Sequence, residues 1–256
     1  WEDLRLQPES KDRLNEVVRG YRHRTQVLDH WGFRDAGSGG NGITMLFYGP
    51  PGTGKTMAAG ILAAELGLEV FKVDLSRVVD KYIGETQKSL GRVFDEAERG
   101  EVLLLFDEAD SLFSKRTEVK SSTDRYANLE TNYLLQRMEA YDGLVVLTTN
   151  HEGHLDPAFR RRIKHQVNFP LPDVPVRSEI WRGLIPQRAP ISEELDFEEL
   201  AERFEMSGGH IKNAVLHAAI LAAMEDRGLT MRDLVEGGNR EYRALGKVIR
   251  TWEDER

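Results

Sequence analysis

The chain has 256 residues, enough for one large core or for one core with a small satellite domain. It contains no cysteine, which excludes a disulfide framework and any thiolate metal site. Lys and Arg number 35 against 43 Asp and Glu, a net charge of -8 that argues against a nucleic-acid coat, and no apolar run approaches the ~20 residues of a membrane span.

In chain order, Leu4 to Trp31 has helical spacing, with apolar residues at Leu14, Val17, Val18, Tyr21, Val27 and Leu28. The chain starts at Trp1 rather than Met, without the basic and then apolar layout of a signal peptide. It therefore reads as a piece of a longer cytoplasmic protein carrying an additional N-terminal domain. After the glycine-rich stretch 35–42, Ile43 to Tyr48 reads as a buried strand. Helix and strand then alternate. Met57 to Leu66 is helical, Val70 to Val73 a strand, Thr86 to Glu98 helical and Val102 to Phe106 a strand. Tyr126 to Ala140 is helical, Leu144 to Leu147 a strand, and His165 to Phe169 the last strand. Alternating βα units with apolar strands imply a parallel sheet covered on both faces. Pro170 to Pro175 is a natural boundary, beyond which the pattern is helical only: Arg177 to Leu184, Phe197 to Phe204, Gly208 to Arg227 and shorter pieces after Thr230.

The strongest local signal is Gly49-Pro50-Pro51-Gly52-Thr53-Gly54-Lys55-Thr56, with a strand before it and a helix opening at Met57 after it. Glycines keep Cβ atoms away, so that backbone N–H groups turn inward onto a phosphate, and the helix directs its positive dipole end at the same anion. Lys55 would reach the β/γ-phosphates as a point charge, and the Thr56 hydroxyl would hold Mg²⁺. The strand Val102 to Phe106 ends in Asp107-Glu108-Ala109-Asp110. In a parallel sheet ligands sit beyond the carboxyl ends of strands, which sets these acids beside the phosphate loop. Asp107 would hold Mg²⁺ through water, and Glu108 would orient or deprotonate the water that attacks the γ-phosphate. Asn150, just past the strand ending in Thr148-Thr149, would hydrogen-bond that water; its bland alternative is a turn Asn. Arg160, Arg161 and Arg162 form a cluster whose guanidinium forks suit phosphate, or else a solvated basic patch.

Taken together, these motifs and Asp156-Pro157-Ala158-Phe159 identify a chain that resembles the AAA+ superfamily, and within it the AAA group proper, over about Leu14 to Met224. The resemblance implies a P-loop αβα sandwich with a parallel five-stranded sheet over 1–170, with a helical lead-in over 1–35, and a small all-α lid over 171–256. It makes Asp107 and Glu108 the Walker B pair, Asn150 sensor 1, and Arg161 and Arg162 two arginine fingers acting in a neighbouring subunit. The family usually has two residues between those fingers, and here there are none. The implied partners are ATP or ADP, Mg²⁺, further copies of the same chain in a ring, most often a hexamer, and a polypeptide substrate.

Asp80-Lys81-Tyr82-Ile83-Gly84-Glu85 resembles the first pore loop of protein-remodelling members, where Tyr82 would grip an extended polypeptide. Lys115, Arg116 and Lys120 fall where a second pore loop lies. Gly209 and Lys212, at the start of the long helix after Ser207, correspond to the region that meets adenine and ribose, with Lys212 a sensor 2 candidate. Asp74 stands where several relatives have an Asn, and Trp31-Gly32-Phe33 would lie near the base. His151 and His154 flank a glycine without metal-ligand spacing, and His210 and His217 share a helix face but are too few for a metal site. The wording of Asp124 to Glu130 and Tyr133 to Glu139 is similar to stand-alone bacterial members, including those encoded with contractile injection systems. Two other functions compete with a threading motor. One is a nucleotide-dependent assembly scaffold that hydrolyses slowly; the other is a DNA-directed loader, which the Lys-Tyr-Ile-Gly segment and the charge of -8 disfavour.

Overall fold

A computed structural model of the chain describes residues 1, 4–35, 42–74, 85–100, 102–110, 132–150 and 161–248. The chain divides into two compact units. Pro8–Gly49 and Lys55–Phe169 form a sheet unit, and Trp1–Gln7, Pro50–Gly54 and Pro170–Arg256 form a helical unit.

The sheet unit opens with α1 (Pro8–Thr25), which begins at Pro8 rather than Leu4 and runs into a short π-helical turn, Gln26–His30. Proline suits the first helical position because its missing N–H has no intrahelical acceptor there. Five parallel strands follow: β1 (Ile43–Tyr48), β2 (Glu69–Val73), β3 (Val102–Phe106), β4 (Leu144–Thr149) and β5 (His165–Asn168), in the order β2-β3-β4-β1-β5. Among the described residues the helices between them are α2 (Lys55–Leu66), α3 (Glu85–Ala97) and α4 (132–140). β1 sits between β4 and β5, so the loop that leaves it starts from an interior strand of the sheet. The expected parallel five-stranded sheet is thus found.

Burial follows position. β4 is buried along its whole length and β3 nearly so, whereas β2 at the edge buries only Val73. The expectation that every strand is covered on both faces fails for β2, where Val70 is 41% exposed and Phe71 37%. An edge strand has a neighbour on one side only, and the charges of Glu69 and Lys72 suit it to water. The core gathers Leu46, Leu104, Phe106 and Leu147 from the strands with Phe94, Leu134 and Met138 from the helices. Each fully buried side chain of this size contributes about 1.5–3 kcal/mol relative to exposure.

The helical unit contains α5 (Val174–Gly183), α6 (Phe197–Arg203), α7 (Gly208–Met224) and α8 (Met231–Ala244). α5 starts earlier than its apolar spacing suggests, because Asp173 caps it by accepting from the Val176 amide at 3.1 Å and Pro175 fits the first turn. The expected short pieces after Thr230 are instead one helix of 14 residues. Its Gly237-Gly238 pair is an approach surface rather than a break. A Cβ on Gly237 would lie 2.2 Å from the Ala214 carbonyl oxygen of α7, and one on Gly238 would enter the Phe204 ring. Around Trp181 and Phe204 the core is closed by Ile211, Ala214, Ala218 and Leu234.

Candidate nucleotide site

β1 delivers Gly49, whose φ of +139° is glycine territory and whose position no side chain could share. A Cβ there would sit 2.2 Å from the Phe169 carbonyl oxygen. Lys55 then opens α2, buried to 7% exposure, with its Nζ donating to the Gly49 carbonyl at 2.7 Å and to Asn150 Oδ1 at 2.9 Å. The loop lysine and the residue past β4 are thus in contact, although 95 positions separate them. Burial pulls the Lys55 ammonium below its usual value, against the opposing pull of Asp110, Asp107 and Glu108.

Asp107 leaves the end of β3 and collects donors from three other elements. Thr56 Oγ1 donates to its carboxylate at 3.0 Å, Thr148 Oγ1 at 2.7 Å and Lys72 Nζ at 2.6 Å. Burial alone would raise this carboxyl, but Lys72, Thr148 and Thr56 outweigh it and hold the group below the usual carboxylate range. The same hydrogen bond raises the Lys72 ammonium.

Glu108 is exposed and holds a left-handed backbone at φ +53°. For a residue with a Cβ this costs on the order of 1–2 kcal/mol. Two bonds to Thr148 impose the conformation: the Glu108 amide donates to Thr148 Oγ1 at 2.9 Å, and the Ala109 amide donates to the Thr148 carbonyl at 2.8 Å. Asp110 accepts from Thr149 Oγ1 and, at 3.1 Å, from the Asn150 amide, which fixes where the Asn150 side chain starts.

Thr148 and Lys72 are the residues that motif reading missed. Thr148 is 1% exposed on an apolar strand, and a buried hydroxyl at that place has to find partners. Lys72 is a charge inside a strand whose neighbour ends in carboxylates, a signal readable once the strand order is known.

The other assigned residues fall as follows. In the helical unit Gly52 and Gly54 take φ values of +74° and +98°, and Thr53 Oγ1 donates to the Pro50 carbonyl at 2.8 Å. The Gly209 amide donates to the Gly52 carbonyl at 2.9 Å, while Lys212 is exposed on α7. His210 pairs with Glu241 at 2.8 Å and His217 with Arg240 at 3.1 Å, both on α8. In the sheet unit Met57, Asp74, Trp31 and Phe33 are exposed. Arg161 is exposed, and Arg162 forms an ion pair with Glu139 at 2.7 Å. Lys81, Tyr82, Ile83, Gly84, Lys115, Arg116, Lys120, His151, His154 and Arg160 lie outside the described residues.

Residues 45–171 match the family described as "ATPase family associated with various cellular activities (AAA)". The chain is 34% identical over 205 residues to a proteasome-activating nucleotidase of Saccharolobus solfataricus, covering 77% of this chain and 52% of that protein. It is 34% identical over 191 residues to the 26S proteasome subunit RPT4 of Saccharomyces cerevisiae, covering 72% and 44%. The chain belongs to the AAA family of ATPases. It is also 33% identical over 186 residues to a cell division cycle protein 48 homolog of Archaeoglobus fulgidus, covering 68% of this chain and 25% of that protein. The AAA chain spans about half the length, or less, of these curated relatives.

Membership in the AAA family makes a nucleotide the ligand of this domain. The donor chemistry also fits Mg²⁺, since the Thr56 hydroxyl and the Asp107 carboxylate are hard oxygens already joined at 3.0 Å. Among the described residues no group of three or more His, Cys, Asp or Glu could hold a metal by itself. Mg²⁺ requires no such cage, because phosphates and water supply most of its shell. No described helix is long and apolar enough to cross a membrane.

Proposed function

We propose that this chain is the motor module of a cytoplasmic homo-oligomeric ring, a hexamer, that hydrolyses ATP to remodel polypeptide substrates. The observation that supports it best is the convergence of Lys55, Asn150, Thr56 and Asp107 within 3.0 Å contacts at the carboxyl ends of β1, β3 and β4. Lys55 brings a partly desolvated cation to the β/γ-phosphates, where its charge counts for more than in water. Asn150 orients the attacking water with its side-chain amide, and Glu108 accepts the proton that water loses. Mg²⁺, taken up through the Thr56 hydroxyl and through water held by Asp107, would neutralise phosphate charge. Arg161 and Arg162 are the two fingers assigned to the phosphate of a neighbouring subunit, with Arg162 paired here with Glu139.

Threading by Tyr82 is the further step of this reading. The motif itself and the relatives named as a proteasome-activating nucleotidase and a proteasome subunit favour it over a slow scaffold. The wording shared with stand-alone bacterial members makes a bacterial module the finer assignment.

Glu108→Gln tests the chemistry. It should retain bound ATP while turnover falls roughly 10²- to 10⁴-fold; hydrolysis at the parental rate would remove Glu108 from the mechanism. Ring formation is read from solution mass with and without ATP. Tyr82→Ala should abolish stimulation by an unfolded polypeptide while basal hydrolysis persists. Unchanged stimulation would favour the scaffold, and stimulation by DNA a loader.

A further inference from the structure

Lys72 has no place in the hydrolytic reading, yet its Nζ makes the shortest contact to the carboxylate that serves Mg²⁺, 2.6 Å from Asp107 Oδ2. The two oxygens of Asp107 are unequally engaged. Oδ1 accepts from Thr148 at 2.7 Å and from Thr56 at 3.0 Å, and Oδ2 accepts from Lys72 with a longer 3.2 Å contact to Thr56. Lys72 reaches this oxygen from β2, where its backbone pairs with Leu105, two residues before Asp107. Because β2 is the edge strand, the lysine stem lies along an open flank with the side chain 57% exposed, while the carboxylate is only 13% exposed. An exposed lysine pair generally contributes little to stability. This one is placed where it acts on the ligand of another ion.

We propose that Lys72 is a positioning residue that occupies Asp107 Oδ2 until hydrated Mg²⁺ displaces it, so that it sets the Mg²⁺ concentration at which nucleotide is retained. The inference rests on the Mg²⁺-nucleotide reading of the site. A hydrated divalent cation beside Thr56 and Asp107 needs carboxylate lone pairs for its water donors, and it carries charge of the same sign as Lys72. The monocation therefore has to yield Oδ2 as the divalent one arrives. Its long stem and exposed flank let it do so without disturbing the core. Thr148, by contrast, is buried and keeps Oδ1 throughout.

The test is a Mg²⁺ titration of binding by fluorescent N-methylanthraniloyl-ADP to the purified chain, for the parent, Lys72→Met and Lys72→Arg, each checked by its melting curve. Lys72→Met should lower the half-saturating Mg²⁺ concentration roughly three- to tenfold. Lys72→Arg, which keeps the charge, should stay close to the parent. An unchanged or increased Mg²⁺ requirement in a normally melting Lys72→Met protein would overturn the competition. If the parent itself binds the probe with no dependence on Mg²⁺, the reading of Thr56 and Asp107 as metal ligands fails first, and this inference with it.

Discussion

Asp107 in the sheet unit and Asp233 in the helical unit are two carboxylates with the same kind of company and opposite origins. Each accepts from a basic side chain and from a threonine hydroxyl, and each is held below the usual carboxylate range. Asp233 finds its partners within its own segment. Arg227 grips it with two donors, one at 2.8 Å, and Thr230 closes a capping box at the start of α8, six and three residues away. The partners of Asp107 lie 35, 41 and 51 residues away, on β2, β4 and α2. One arrangement forms as soon as a turn and a helix form. The other exists only after the strand order is complete. A polar cluster drawn from distant elements has to be assembled by the fold, and that separates a site from a cap.

Arg227→Met challenges this contrast most strongly. It leaves Asp233, whose side chain is 6% exposed, without its cation, and should lower the melting temperature of the helical unit clearly. An unchanged melting temperature would mean that the cap is held by Thr230 alone. Thr148→Val comes next. It removes a donor to Asp107 and the acceptor of the Glu108 amide together, at a cost of about 1.5–3 kcal/mol in urea unfolding. It should also weaken nucleotide binding, which Arg227→Met should not do directly. Equal effects of the two variants on nucleotide affinity would blur the distinction.

Acid gives the smallest but most selective comparison. Burial on β5 holds His165 below its usual 6.5, so its contribution is complete above that value and is lost as pH falls through the folded value. Asp233 falls from 3.8 to about 2, so its contribution is complete above 3.8 and lost only towards 2. Hydrogen exchange followed by fragment from neutral pH downwards should therefore show β5 loosening before α8. The reverse order would contradict the assignment of either group.

How far the sequence carried this contrast depends on the range of each interaction. The glycine loop after β1, the β3 acids and the five strands were legible because each is a short run with its own pattern. The capping of α8 was also written locally, in Thr230 and Asp233, but its length was not, and the pattern after Thr230 suggested short pieces. Only the packed α7 backbone explains why two glycines stand inside a helix. Thr148 and Lys72 were invisible for the complementary reason. Each is unremarkable in its own strand and acquires meaning from the strand beside it. Asn150 was expected to act on water, and its contact with Lys55 could be known only once β4 was placed next to β1.

The left-handed backbone of Glu108 has a consequence for how this protein would evolve under different pressures. Glycine at 108 would relieve about 1 kcal/mol of strain, because both bonds to Thr148 are donated by the main-chain amides of residues 108 and 109 and survive the change. A library of variants sorted by melting temperature alone should therefore enrich glycine or asparagine at this position. The same library sorted by phosphate release should restore the acid, so that position 108 reports which of the two pressures a lineage has experienced.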